Sequence, residues 1–293
     1  MANLRAYIAN CLIGGESITR HGEKSICDTV QFTCENRVFV LTQKADAIQK
    51  PRSYFEGSFS ATTEILVPNV ENADVELVLA IIDRICWLLS LACMSKVVCY
   101  GHDYPDGKNS TRKAVVGVTR SNRSTIQIQL GAKVREFVDQ TYPAFALLEH
   151  RRKLAVAFDY MLQADALGLP TECRSIFASV LLENLKHHYA ANEGLPFIDG
   201  YFRKKPERKA ETWKFRELLT KMFKEVGMTP DISSIISLRN DVVHTGLSAL
   251  SHHDQRAVYD QIQDLVREYF LRLLGFKGSY LVYSTGCSTH AAI

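Results

Sequence analysis

The spacing of apolar residues changes character once along this chain, and that change limits what it can fold into. Up to Gly131 they come in short runs rich in β-branched and aromatic residues, several alternating with polar ones, as in Thr29–Cys34, Val38–Leu41 and Phe59–Val67. From Ala132 to Phe276 they recur at helical spacing, between stop signals such as Asn192-Glu193-Gly194 and Gly227. The expected fold class is therefore α+β. An N-terminal domain mixing strands and helix covers residues 1–131, an all-α bundle covers 132–276, and a tail occupies 277–293.

In the N-terminal part, further strands are expected at Tyr7–Ile13, Val97–Tyr100, Ala114–Thr119 and Thr125–Leu130. Asn36 marks a turn, and Gly14-Gly15 another. Asp74 stands where it would cap a helix over Val75–Met94. That helix is apolar but carries Asp83-Arg84 at its centre, which a lipid environment would tolerate only at several kcal/mol, so it reads as a buried helix and no membrane partner is expected. His102, Asp103 and Asp106 lie in GHDYPDGKNS, whose Pro, Gly and Asn residues point to hairpin turn chemistry rather than to a metal site.

Apolar residues make up 46% of the 293, enough for a sizeable core, and a net charge of +3 is too small to argue for nucleic acid by itself. The opening MANLRAYIAN lacks the apolar run of a secretion signal. The cysteines are Cys11, Cys27, Cys34, Cys86, Cys93, Cys99, Cys173 and Cys287, with no Cys-x-x-Cys pair. They read as small buried hydrophobes in a reducing, cytoplasmic setting, which leaves the sequons at Asn109 and Asn122 without meaning. No phosphate loop, dinucleotide fingerprint or Gly-x-Ser-x-Gly elbow occurs, so no cofactor and no metal is expected, and a nucleotide hydrolase or common esterase is disfavoured.

Helices are expected at Lys133–Gln140, Pro143–Ala166, Glu172–Ala191, Glu207–Val226, Ile232–Val243 and His253–Leu274, joined by short connections as in an up-down bundle. Leu147, Leu154, Ala157, Phe158 and Met161 should face inward. Ser251 should cap the last helix. The stretch Ile232–Gly246, ISSIISLRNDVVHTG, carries the chemistry. Ile232, Ile235, Ile236 and Val243 are expected on one buried face, Asp231 at the start and Gly246 at the end. Its last turns hold Arg239, Asn240 and His244. An arginine fork suits a phosphate, and an imidazole can move a proton near neutral pH. The plainer reading is that both complement the negative end of the helix dipole.

Leu238-Arg239-Asn240-Asp241-Val242-Val243-His244, late in a helical segment and followed by a long amphipathic helix, resembles the signature of the HEPN superfamily (higher eukaryotes and prokaryotes nucleotide-binding domains). Glu183 in VLLENLKHH fits the Leu-Glu-x-Leu helix that precedes the motif helix in many members; its plainer reading is a solvated residue paired with Lys186 or His187. The resemblance covers roughly the last 150 residues. It implies metal-independent endoribonuclease action, with His244 as general acid or base, Arg239 holding the phosphate, Asn240 orienting and Glu183 tuning. It implies too a homodimer whose two motifs line one cleft, since Arg239 and His244 point about 140° apart on one helix. Members often act as toxins or in antiviral defence, with a second domain as sensor, so the N-terminal part is a candidate for binding a regulatory partner or activating ligand.

Tyr201–Lys224 holds nine Lys or Arg against three Glu, interleaved with Tyr201, Phe202, Trp213 and Phe215. Cations beside stacking rings suit single-stranded RNA. Candidate RNA contacts are Arg203, Lys204, Lys205, Arg208, Lys209, Trp213 and Lys214; the alternative is a solvated helix face with Trp213 in the core. His187-His188 is a poor ligand pair, because neighbours on a helix diverge by about 100°. Two other function classes stay open: a bundle of this type that binds RNA, a nucleotide or a protein without cutting, and a dimeric scaffold.

Overall fold

The computed structural model describes residues 2–21, 24–120, 123–166, 168–285 and 289–293. Cys287 and Asn122 lie outside the described residues. The chain is mixed α and β, and it divides into two compact units. The first comprises Met1–Ala146, Leu274–Val282 and Ser288–Ile293, the second Leu147–Leu273 and Tyr283–Cys287. The division falls inside a helix, and Leu274–Val282 group with the first unit.

In the first unit β1 (Ala2–Ala9), β2 (Ser17–His21), β3 (Lys24–Cys34), β4 (Arg37–Gln43), β5 (Ala61–Val70), β6 (Val98–Asp103) and β7 (Ser110–Arg112) form one antiparallel sheet. Its order is β2-β3-β4-β5-β1-β6-β7. Alternation explains the faces: Leu4, Ala6 and Ile8 of β1 and Phe39 and Leu41 of β4 are wholly buried, while their neighbours point away. The turn expected at Asn36 is present, with Glu35 and Asn36 both at positive φ. After the short helix α1 (Ala45–Gln49) comes α2 (Val75–Cys93), almost entirely buried and ended by Met94 in the left-handed region. Asp74 does not cap it; its carboxylate accepts from Arg37 at 2.7 Å instead.

Two expected strands are absent. Residues 114–119 and 125–130 are irregular among the described residues, because their amides bond to scattered partners rather than one ladder: Thr119 to Ser58 O and Thr125 to Ala92 O. Ile126 and Ile128 are nonetheless buried. His102 and Asp103 belong to strand β6, and only Asp106 sits in the turn, where it accepts from the Lys108 amide. Of the described cysteines Cys11, Cys34, Cys86 and Cys93 are buried, Cys27 is exposed, and all are free thiols. Burial pushes the Cys34 thiol up to about 12.

Helix α3 (Gly131–Arg152) runs through Pro143 rather than breaking there, and Lys153 at positive φ separates it from α4 (Leu154–Ala164). In the second unit α5 (Thr171–Asn192), the small sheet of β8 (Phe197–Ile198) and β9 (Tyr201–Phe202), α6 (Phe215–Glu225), α7 (Ser233–Thr245) and α8 (His252–Leu273) follow. Helix α5 is in contact with α4, α6, α7 and α8. Buried Ser175, Ala178 and Ser179 keep one of its faces slim enough for this. Ser251 caps α8 as expected, accepting from the Asp254 amide at 3.1 Å. Leu147 is exposed, contrary to expectation, whereas Leu154, Ala157, Phe158 and Met161 are buried. In the first unit the chain closes with a hairpin of β10 (Ser279–Val282) and β11 (Thr289–Ala292).

Gly14 and Gly15 do more than turn the chain. A Cβ on Gly15 would stand 2.4 Å from the Asp28 amide nitrogen, and one on Gly131 would stand 2.3 Å from the Gly15 carbonyl carbon. Backbones this close admit no side chain, and there is no flexible neighbour to yield. Gly131→Ala is therefore expected to lower stability by about 1–3 kcal/mol, the usual cost of overpacking. Chemical denaturation of the variant beside wild type measures it.

Candidate functional site

Helix α7 begins where Asp231 accepts from the Ser233 amide at 2.9 Å, and it ends at Gly246 with φ 75°. Between these caps Ile235, Leu238 and Val242 are buried at helical spacing. Val243, expected on that face, is exposed, because one residue past Val242 is another 100° around the helix. The same turn of geometry lifts Arg239 partly out of the core and puts Asn240 and His244 at the surface.

Arg239 and Glu183, 56 residues apart in sequence, meet in a hydrogen-bonded ion pair through Nη2 and Oε1. Nη1 of Arg239 donates to Asn240 Oδ1 at 2.9 Å, and its guanidinium carbon lies 4.9 Å from the centre of the Phe215 ring. The other oxygen of Glu183 accepts from Lys186 Nζ at 2.6 Å, and that ammonium also lies over Phe215, at 5.2 Å. One carboxylate thus joins two cations resting on one ring, a cluster with net charge +1. Arg239 Nε is shielded from solvent with no partner among the described residues. His244 is exposed and lies outside this cluster of contacts.

Glu183 and Lys186 also line a cleft of about 400 Å³, together with Asn184, His187, Tyr201 and Trp213 among others. Its aromatic wall comes from residues 197–213, of which 207–213 were expected to begin a helix. Asp199 and Gly200, at φ 53° and 82°, form the turn of the β8–β9 hairpin. The chain then pairs back along it: Lys204 donates to Glu211 O and Trp213 to Phe202 O, each at 2.8 Å. Those amides are thereby withheld from a helix, and α6 starts only at Phe215. The signal was present in Phe197-Ile198-Asp199-Gly200-Tyr201-Phe202, an Asp-Gly pair between apolar dipeptides. Asn184 carried no mark of its own, and Lys186 was marked only as a pairing partner for Glu183.

The basic segment is partly neutralised by its own chain. Lys204 meets Glu211 at 2.7 Å and Glu217 at 3.5 Å, and Arg208 meets Asp199 at 2.7 Å. Arg203 is half-buried and donates to the Ala210 carbonyl at 2.9 Å. The Lys214 amide, not its ammonium, is engaged, donating to Glu217 at 2.8 Å. Lys205, Lys209 and Lys214 make no side-chain ion pair among the described residues and face solvent. Trp213 is half-buried, with Lys204 and Lys221 at 5.2 and 5.0 Å from its ring.

Compared with known proteins, the chain matches no family model, no curated protein and no solved structure. Among the described residues, no helix is long and apolar enough to cross a membrane.

Also lining the cleft, His188 is held by burial below the ordinary histidine value of 6.5, and the neighbouring His187, Lys153 and Arg152 act in the same direction. The folded state therefore resists a proton that the unfolded chain accepts. The sign follows: stability is intact above pH 6.5 and is lost as pH falls below it. His188→Gln is expected to flatten that loss, and denaturation midpoints measured between pH 7.5 and 5 (roughly one unit either side of the ordinary histidine range) check this.

Proposed function

We propose that the second unit is a metal-independent endoribonuclease, similar to HEPN ribonucleases, acting on single-stranded RNA. The observation that carries this is the Arg239–Glu183 pair: two residues singled out separately, one from the Arg-Asn-x-x-x-His stretch and one from Leu-Glu-x-Leu, share one hydrogen-bonded cluster. In the proposed reaction the RNA 2′-OH attacks its own phosphate, leaving a 2′,3′-cyclic phosphate and a 5′-OH. His244, exposed at the end of α7, takes or returns the proton. Arg239 and Lys186 answer the charge that develops on the phosphate. Asn240 orients Arg239, and Glu183 holds both cations in place until a phosphate shares them. Internal attack by a 2′-OH needs a base and a cationic clamp, with no metal-bound hydroxide.

A single helix points Arg239 and His244 in different directions, so the proposal includes a homodimer that brings His244 of one copy to Arg239 of the other. Exposed Val243 and Leu247 beside His244 offer an apolar surface for it. Light scattering at micromolar concentration is expected to give twice the 33.0 kDa chain mass; a monomer under all conditions sinks the composite site. A defence or toxin role with regulation through the first unit, in the cytoplasm, belongs to the same proposal.

One observation favours a second reading, a bundle that binds RNA without cutting it. Both Nη atoms of Arg239 are already engaged, by Glu183 and Asn240. Substitution separates the two readings. His244→Ala is expected to leave RNA binding intact while cleavage falls by roughly two to four orders of magnitude, the usual worth of general acid–base catalysis. Arg239→Ala is expected to weaken both, and activity is expected to persist in excess EDTA. Gel analysis of RNA ends reads the result. Binding without cleavage by wild type decides for the second reading, and cleavage unchanged in His244→Ala refutes the assigned site.

A further inference from the structure

The cleft between α5 and the β8–β9 hairpin has a chemistry of its own. Phe197 and Tyr201 are 53% and 61% exposed, although rings of this size are ordinarily drawn into a core. Phe202, by contrast, is 5% exposed and anchors the hairpin. The His187 ring stands 5.2 Å from Phe197 and 5.1 Å from Phe202, so α5 and the hairpin meet through rings. A two-stranded hairpin is marginal in water, and this one is held by these contacts and by the Trp213 amide.

Two polar atoms on the cleft walls lack an answer. Asn184 Oδ1, an acceptor, and Trp213 Nε1, a donor, are shielded from solvent without a partner among the described residues. Buried polar groups are rarely left so unless a ligand or small local movement satisfies them. At about 400 Å³ the cleft lies in the size range of small-molecule sites. Glu183 and Lys186 line it, and Glu183 also holds Arg239, completing the cluster of net charge +1.

We infer that this cleft is a nucleobase subsite, in which one unpaired base of an RNA strand enters between the hairpin rings and α5. The base stacks on Tyr201 and Phe197, its edge exchanges hydrogen bonds with Asn184 and Trp213, and its phosphate lies toward Lys186 and Arg239. Flat rings call for a flat ligand, a paired donor and acceptor call for a polar ring edge, and the cations call for an attached anion; a nucleotide unit meets all three. Any base has a face to stack, so the subsite favours single strands over duplexes, whose bases are already stacked and paired. The inference rests on the RNA reading above but not on cleavage.

The test uses the full-length protein and a labelled 2′-O-methyl RNA strand, which cannot attack its own phosphate, beside a matched strand of abasic linkers that keeps every phosphate. Wild type is expected to bind the strand with bases about five- to a hundred-fold more tightly, the worth of a stacked base. Tyr201→Ala with Phe197→Ala, both at exposed positions, is expected to bring that ratio close to one. The slope of affinity against salt should stay unchanged, since no phosphate contact is lost. Trp213→Phe, which keeps the ring and removes the donor, is expected to reduce the ratio by a smaller factor. If the double variant keeps the wild-type ratio, the cleft holds no base and the inference falls while RNA binding stands. If wild type binds neither strand, the RNA reading itself falls and takes the subsite with it.

Discussion

The guanidinium of Arg267 lies wholly out of solvent, and a buried cation costs several kcal/mol unless carboxylates answer it. Asp264 does so at 3.1 Å on the same helix, and Asp165, at the end of α4, lies 4.0 Å away. Asp165 is shared: Tyr259 donates to it at 3.0 Å and Arg174 of α5 lies 4.0 Å from it. Asp264 also accepts the amides of Tyr283 and Ser284. A charge network of this kind is exacting, because removing any member strands a partner in a low-dielectric interior. It therefore fixes α8 against the end of α4 and the start of α5. Every other helix of the second unit is then placed by its contact with α5.

The candidate site inherits that placement. Glu183 lies about two and a half turns along α5 from Arg174, so wherever α5 is held, Glu183 is held. Helix α7 contacts α5 with Ile235, Leu238 and Val242 buried, and Arg239 meets Glu183 and Phe215. The site is thus built on rigid helices, and only the hairpin facing it is a lighter structure. Such a division is what the proposed function asks for, a phosphate held in fixed geometry beside bases of different size. In that proposal, substitutions on α5 and α7 act on charge and those on the hairpin on stacking.

Chain pattern alone was enough for the mixture of α and β, for α2, α5, α7 and α8, and for the caps at Ser251 and Gly246. Each of these rests on interactions within a few residues, namely helical periodicity, a hydroxyl reaching an amide, or a residue free to take positive φ. The Arg239–Asn240–His244 stretch and Glu183 stood out as candidates in the same way, as polar residues set among apolar ones at helical spacing. Sequence pattern did not show that Glu183 would turn to Arg239, fifty-six residues away, as well as to Lys186, three residues away.

The failures share one cause. Residues 125–130 alternate apolar and polar, but Thr125 donates to Ala92 O, Ile128 to Ile126 O and Leu130 to Gln127 O instead of to a ladder, and residues 207–213, expected to be helical, fold back along a hairpin. In both, distant backbone groups compete for the amides, and composition carries no record of which carbonyl is near. Leu147 and Val243 are exposed for a related reason: an apolar residue is drawn inward only if another element covers its side of the helix. Local chemistry thus determined which segments coil and where they stop. Only the tertiary structure decided which faces are covered, how the units divide within α3, and that a cleft opens beside Glu183, because burial depends on what arrives from elsewhere in the chain.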